Sequence, residues 1–191
     1  MTKLRFVSRN PFKVAEAKVI LERAGIQVVP VAFAIEEIQT DNSDRLIRQK
    51  AVAAYERLRQ PLIVEHTGLH LESLEGLPGG LTQVFWDHLE ADRFAEMFGR
   101  RSNPKATART QIAYVDGKTI SIFSGAIDGR IAREPRGPRR FQWDCIFIPK
   151  GHAKTFAEMG QRKKNAISMR RQALDKLAMH LQGGVSGRST R

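Results

Sequence analysis

Residues 4–25 read LRFVSRNPFKVAEAKVILERAG, and this stretch predicts a strand, a short polar loop and a helix in that order. LRFVS (4–8) is rich in β-branched and aromatic residues, as a buried strand is. Asn10 can cap a helix from about Phe12 to Ala24, whose apolar residues recur at spacings of three and four before Gly25 ends it. The stretch therefore begins a fold in which strands and helices alternate.

The remaining elements continue this alternation and then give a long hairpin, for which Asp116-Gly117 is the turn signal. The predicted strands are IQVVPVAF (26–33), PLIVE (61–65), GLHLESL (68–74), the hairpin over 107–132, and WDCIFIP (143–149). The predicted helices run from Asn42 or Ser43 to about Leu58, through ADRFAEMFG (91–99), after a capping box at Thr155 and Glu158, and from near Ser168. The fold class is α/β with a mixed sheet.

Composition limits the class of protein. With 191 residues, of which 41% are hydrophobic, the chain can form one globular domain, and we expect it to cover residues 1–182. No apolar run approaches the ~18–20 residues of a membrane span, so no membrane association is expected. The single cysteine, Cys145, excludes an intramolecular disulfide and fits a reducing cytoplasm. GGVSGRSTR (183–191) predicts a flexible basic tail.

The formal net charge of +12 favours polyanionic ligands: nucleic acid, nucleotides or an acidic partner protein. Aromatic residues are not interleaved with the basic clusters, which makes nucleic acid an unlikely partner. A solvated basic surface and a pocket for a small, highly charged anion both remain open at this point.

Three groups of residues have types suited to chemistry. Ser8, Asn10 and Lys13 surround a helix N-terminus, which attracts anions, although Ser and Asn there also serve simply as caps. EEIQ (36–39) and VEHTGL (64–69) bring Glu36, Glu37 and Glu65, which can be Mg²⁺ ligands or ordinary solvated carboxylates. His66 within VEHTGL can belong to an acid/base pair, to a metal site, or to neither.

The third group lies in RRFQWDCIF (139–147) and KKNAISMRR (163–171). A planar base can stack on an aromatic ring while polar side chains read its edge. The ring and the polar groups would come from Phe141, Trp143, Asp144, Lys164 and Arg170. The alternative is that the aromatic pair belongs to the core.

Several of these motifs occur in the order and approximate spacing of one known family. SRNPFKVAE, EEIQ, VEHTGLHLESLEGLPG, FQWDCIFIP, TFAEM and KKNAISMR resemble the inosine triphosphate pyrophosphatases, also called dITP/XTP pyrophosphatases, over roughly residues 4 to 181. The resemblance implies an elongated mixed β-sheet with flanking helices and a long hairpin, and two lobes around a nucleotide cleft. It also implies a homodimer, Mg²⁺, and cleavage of ITP, dITP or XTP to the monophosphate and pyrophosphate.

The resemblance also implies roles for individual residues. Ser8, Asn10, Lys13 and Lys50 would bind the phosphates, and Lys13 would also take part in catalysis. Glu37 would bind the metal with help from Glu65. Phe141 would stack on the base. The residues that would shape or read the base pocket are Trp143, Asp144, Lys164 and Arg170.

This chain departs from the family pattern at three positions. His66 stands where the family has a catalytic aspartate, Met169 where it has a histidine, and Cys145 where it has a proline. Imidazole is a poorer ligand for Mg²⁺ than carboxylate and suits Mn²⁺ better. We therefore expect a catalytically weakened nucleotide sensor that signals to an effector protein, similar to the pyrophosphatase-like subunit of the Kongming antiphage system. The alternative is an active pyrophosphatase in which His66 replaces the aspartate.

Overall fold

A computed structural model describes residues 2–186 and shows one six-stranded mixed sheet with helices packed against it. The strands are β1 (Thr2–Val7), β2 (Ile26–Val31), β3 (Leu62–Leu71), β4 (Lys105–Val115), β5 (Ile120–Ile131) and β6 (Phe147–Pro149), in the spatial order β2-β1-β3-β4-β5-β6. Strand β1 runs parallel to both its neighbours, and all pairs from β3 to β6 are antiparallel. The predicted mixed α/β fold is confirmed.

The α-helices are α1 (Pro11–Leu21), α2 (Ser43–Leu58), α3 (Thr82–Phe94), α4 (Phe156–Ile167) and α5 (Met169–Ser186). Their predicted caps are confirmed: Asn10 caps α1, Asn42 caps α2, and Thr155 with Glu158 forms the capping box of α4. A short 3₁₀ turn, Glu22–Ala24, follows α1 and ends at Gly25 in the left-handed conformation. Local capping signals therefore set the start of the helices on which the site is built.

The prediction of two separate strands around Thr67-Gly68 is wrong. β3 runs unbroken from Leu62 to Leu71, because β4 supplies a pairing partner for every one of its residues, including Arg109 opposite Gly68. A Cβ on Gly68 would lie 2.5 Å from the carbonyl oxygen of Gly79. The glycine therefore marks a close approach of two backbones and not a turn.

Consecutive side chains of β3 face opposite sides of the sheet. Ile63 packs in the cluster that contains residues of α1 and α5, whereas Val64 packs against α2. The same alternation places the Glu65 carboxylate on the α1/α5 side and His66 on the α2 side. These two neighbours in sequence therefore lie in different environments.

Three other boundaries differ from the predictions. WDCIFIP is a 3₁₀ turn at Gln142–Cys145 followed by a strand of only three residues, which pairs only with the last three residues of β5. ADRFAEMFG spans the end of α3 and one π-helical turn, Ala95–Gly99. α5 continues to Ser186, past the predicted start of the tail, and residues 187–191 lie outside the described part of the chain.

Between residues 2 and 186, no helix has both the length and the apolar character that crossing a bilayer demands.

Gly125 of β5 sets how closely α5 approaches the sheet. A Cβ at this position would overlap the carbonyl oxygen of Met169, the first residue of α5, and would lie 2.7 Å from Cβ of Gln172. The backbone of α5 therefore rests directly on β5. This contact fixes the position of the next residue in the helix, Arg170.

We predict that Gly125→Ala destabilises the fold by about 1–3 kcal/mol, the usual cost of overpacking a close contact. Gly183→Ala is the matched control, because it lies on α5 with no atom within 4 Å of the added Cβ. Urea denaturation of both variants measures the free energies of unfolding. Equal stability of the two variants would show that α5 does not need this close approach.

Candidate active site

A polar cavity of about 390 Å³ lies beside the N-terminus of α1. Six side chains that the sequence singled out line it: Ser8, Asn10, Lys13, Glu37, Lys50 and Glu65. Sequence analysis missed four further polar residues that also line it: Arg9, Gln83, Asp87 and Gln142. Gln83 and Asp87 come from α3, and no pattern in the sequence connected that helix with the loop after β1.

The first turn of α1 is organised for an anion. Asn10 Oδ1 accepts hydrogen bonds from the backbone N–H groups of Phe12 at 3.0 Å and Lys13 at 3.2 Å, and Ser8 Oγ accepts one from the N–H of Asn10. Asn10 is therefore the N-cap of α1, which is one of the two roles that the sequence allowed. Capping does not exclude anion binding, since the Asn10 side-chain amide remains a donor and the helix dipole is positive at this end.

A buried ion-pair network lies behind the cavity wall. Arg170 donates to both oxygens of Glu65, from Nε at 2.8 Å and from Nη2 at 2.9 Å, and its Nη1 pairs with Glu16. The ammonium of Lys13 lies 3.2 Å from Glu65 Oε1. Burial alone would raise the pKa of Glu65, but Arg170 and Lys13 hold it well below its usual range. Glu65 is therefore a carboxylate at neutral pH, and both of its oxygens are engaged.

The second cation of this network is Lys164. Its ammonium lies 2.6 Å from Asp144 Oδ2 and 3.1 Å from Glu16 Oε1. Burial raises the pKa of Asp144, while Lys164 acts in the opposite direction. Glu16 thus links Lys164 to Arg170. Sequence analysis missed Glu16, although an acidic residue next to Ala17 on the apolar stripe of α1 was the available signal.

Phe141 lies over this network. The Lys164 ammonium is 4.0 Å from the centroid of its ring, and the Arg170 guanidinium carbon is 5.5 Å away. Phe12 stacks on the same ring, with centroids 5.2 Å apart. Trp143 is buried and packs edge-on against Phe147, which places it in the core as well as beside the pocket. The five residues predicted to form the base site are thus brought together: Phe141, Trp143, Asp144, Lys164 and Arg170.

Lys50 and Glu37 form the opposite wall of the polar cavity. Lys50 Nζ donates to Glu37 Oε1 at 2.7 Å and to the carbonyl oxygen of Glu65 at 3.0 Å. Burial alone would raise the pKa of Glu37, but Lys50 holds it below its usual value. The Glu37 side chain is 37% exposed, so it remains accessible from the cavity.

His66 lies beneath this wall and is 7% exposed. Within the described residues, its buried Nε2 has no hydrogen-bond partner. Burial, followed by the charges of Lys13 and Lys50, lowers the pKa of His66 to about 4. The imidazole is therefore neutral at pH 7 and retains a lone pair.

The carboxylates of the polar cavity suit Mg²⁺, the metal that the sequence implied, only in part. Among residues 2–186, no three or more His, Cys, Asp or Glu side chains form a metal cluster. Mg²⁺ commonly binds through one or two carboxylates plus substrate phosphates, so a complete protein cage is not required. Glu37 fits this mode because its carboxylate is accessible, whereas Glu65 is engaged by Arg170 and Lys13 and Glu36 is exposed away from the cavity.

The chain is similar to known proteins over nearly its whole length. The model of the Ham1 family matches residues 4–180. A dITP/XTP pyrophosphatase of Methanopyrus kandleri is 38% identical over 188 residues, covering 97% of this chain and 100% of that protein. An inosine triphosphate pyrophosphatase of Yarrowia lipolytica is 38% identical over 178 residues, covering 92% and 94%. The structure of a HAM1 protein from Coxiella burnetii superposes with a TM-score of 0.79 at 29% identity, covering 96% of this chain and 100% of that one.

We predict that Glu16→Gln lowers the free energy of unfolding by about 3–5 kcal/mol, because it leaves Lys164 and Arg170 buried with one fewer negative charge. Glu22→Gln is the control, since Glu22 is an exposed acid just after α1. Thermal and urea unfolding of both variants measure the difference. A Glu16→Gln protein as stable as the Glu22→Gln protein would contradict the role given to this network.

Proposed function

We propose that this chain, which belongs to the Ham1 family, hydrolyses deaminated purine nucleoside triphosphates such as dITP, ITP and XTP to the monophosphate and pyrophosphate. One observation supports this most directly: the first turn of α1 serves two neighbouring sites. Lys13 points into the polar cavity, while the adjacent Phe12 contacts the ring of Phe141 beside the base-reading cluster. In a nucleoside triphosphate the anionic phosphates and the planar base are joined in one molecule, so one ligand can occupy both neighbouring sites at once.

The polar cavity is proposed to bind the triphosphate. Ser8 and Asn10 supply neutral donors, Lys13 and Lys50 supply positive charge, and the N-terminus of α1 adds its dipole. Burial, together with the nearby charges of Lys50 and Arg170, lowers the pKa of Lys13, while Glu65 opposes that change. An arriving phosphate would add further negative charge beside Lys13 and so favour its protonated form.

The base is proposed to stack on Phe141 with its polar edge toward Asp144 and Lys164. A donor aimed at a 6-oxo group is left unpaired when it meets the 6-amino group of adenine, and this mismatch disfavours ATP. Arg170 is placed to act indirectly, because its guanidinium is already shared between Glu65 and Glu16. Its proposed contribution is to keep Glu65 and Glu16 in position beside the base pocket.

Hydrolysis requires a water molecule to form a bond to the α-phosphorus while the bond to the pyrophosphate oxygen breaks. Glu37 would hold Mg²⁺, or Mn²⁺, which when bound neutralises phosphate charge and polarises the phosphoryl oxygens. His66 lies behind the cavity lining, so its neutral imidazole would accept the proton from the attacking water through one bridging water. Its pKa of about 4 is near that of an ordinary aspartate, so His66 retains the basicity of the family's carboxylate but not its negative charge.

We predict that the purified protein releases pyrophosphate from dITP, and that His66→Ala lowers kcat about 10²–10⁴-fold, the range of a positioned general base. The affinity for dITP should stay within about twofold, because His66 is not part of the cavity lining. His70→Ala is the matched control on the same strand, outside this cavity. The assay is run in Mg²⁺ and again in Mn²⁺.

Binding of dITP should depend both on the polar cavity and on the ring of Phe141. Lys13→Ala should weaken it about 10–100-fold through loss of a charge-assisted contact, and Phe141→Ala by about 5–150-fold through loss of stacking. Calorimetric titration without metal measures both, with Lys18→Ala as the control on the same helix. Wild-type affinity in both variants would remove the basis of the proposed function.

A catalytically weakened sensor is the second candidate, and one observation favours it: the carboxylate expected at position 66 is absent while the phosphate-binding residues are present. It predicts tight dITP binding with no pyrophosphate release in either metal. The relatives named above are pyrophosphatases, which favours turnover. Both the homodimer and an effector partner, of the Kongming kind or any other, stay predictions.

A further inference from the structure

The rings of Phe12 and Phe141 form an aromatic pair beside the base-reading cluster. Their centroids are 5.2 Å apart and their planes differ by 23°, so the two rings are stacked. The Lys164 ammonium also contacts the ring of Phe141, at 4.0 Å from its centroid. The Phe141 ring is thus already engaged by another ring and by a buried cation.

The pocket behind Phe141 is too small for a base. Its volume is about 10 Å³ between Phe141, Asp144, Lys164 and Arg170, which is room for about one water molecule. A bicyclic purine is far larger than this. Any base that stacks on Phe141 with its edge toward Asp144 therefore requires the pocket to open first.

The contacts around the ring differ greatly in strength. Moving Lys164 would break two buried ion pairs, to Asp144 at 2.6 Å and to Glu16 at 3.1 Å. Separating Phe12 from Phe141 costs only an aromatic contact at a position where Phe12 is 41% exposed. Breaking a buried ion pair is far more expensive than parting two rings. The ring pair is therefore where the pocket opens.

We propose that Phe12 is a gate residue: its ring holds Phe141 over the narrow pocket, and a deaminated purine enters when the two rings separate. The inference rests on the proposed function, because it assumes that the base binds behind Phe141. Phe12 is suited to this role because it lies between Asn10 and Lys13, whose contacts with phosphate would bring the base of the same nucleotide to the gate.

The test measures how fast a base enters. Trp143 lines the same pocket, so its fluorescence in a stopped-flow experiment can report binding of dIMP, which has the base but no phosphoanhydride bond to cleave. Phe12→Ala should raise the association rate constant about two- to tenfold, the range expected from losing one aromatic pair. Phe12→Leu should change it in the same direction, and Phe12→Tyr, which keeps the ring, should stay within twofold.

Two controls make the result specific. Val19→Ala, an exposed apolar site on the same helix, should leave the rate unchanged. Affinity for pyrophosphate, which has no base, should be the same in Phe12→Ala and in the wild type. An unchanged or slower association of dIMP with both Phe12→Ala and Phe12→Leu would overturn the gate.

The outcomes also separate this inference from the proposed function. A wild-type protein that hydrolyses dITP, with Phe12 variants that bind dIMP at the wild-type rate, would refute only the gate. A wild-type protein that binds pyrophosphate but neither dIMP nor dITP would refute both the base site and the gate.

Discussion

The rest of the site depends on the buried guanidinium of Arg170. It bridges Glu65 of β3 and Glu16 of α1 from its own position at the start of α5. Removing charges from water costs several kcal/mol per ion, and only close pairing with nearly complete hydrogen bonding compensates for this. Arg170, Lys164 and Lys13 face Glu16, Glu65 and Asp144, so the buried charges balance in number. These elements cannot shift independently without uncovering a charge.

This constraint explains why one helix serves two parts of the site. Asn10 caps the N-terminus of α1, and the ion pairs of Glu16 with Lys164 and Arg170 hold α1 against α4 and α5. Lys13 lies between Asn10 and Glu16 in the sequence. The polar cavity and the cluster around Phe141 thus have a common rigid support. Such rigidity limits the reorganisation needed when a ligand binds.

Much of this arrangement could be read from the sequence, because its signals are local. The strand–loop–helix unit, the capping box and the Asp116-Gly117 hairpin each depend on a few adjacent residues, and each is present. The phosphate-binding and base-reading residues were identified through motif resemblance, and the structure brings each set together. What their side chains do with a ligand remains a proposal.

The missed features depend on contacts between distant residues. The unbroken β3 needs β4, some forty residues away, and the same Thr67-Gly68 pair would be a turn signal without that partner. Glu16 gains its importance from Lys164 and from Arg170, and Arg170 is separated from it by 154 positions. Gln83 and Asp87 reach the cavity because α3 packs across it. None of these contacts can be recognised from a short stretch of the sequence.

The alternation of β3 makes the strand a partition between two environments. Glu65 belongs to the charge network on one side of the sheet, and His66 faces the α2 side together with Lys50. Under the proposed function, a change at position 66 alters hydrolysis while leaving the hydrogen bonds between Glu65 and Arg170 in place. Under that proposal, hydrolytic rate and nucleotide recognition are separately adjustable traits. Selection can then change how fast a nucleotide is hydrolysed without changing which nucleotide is bound.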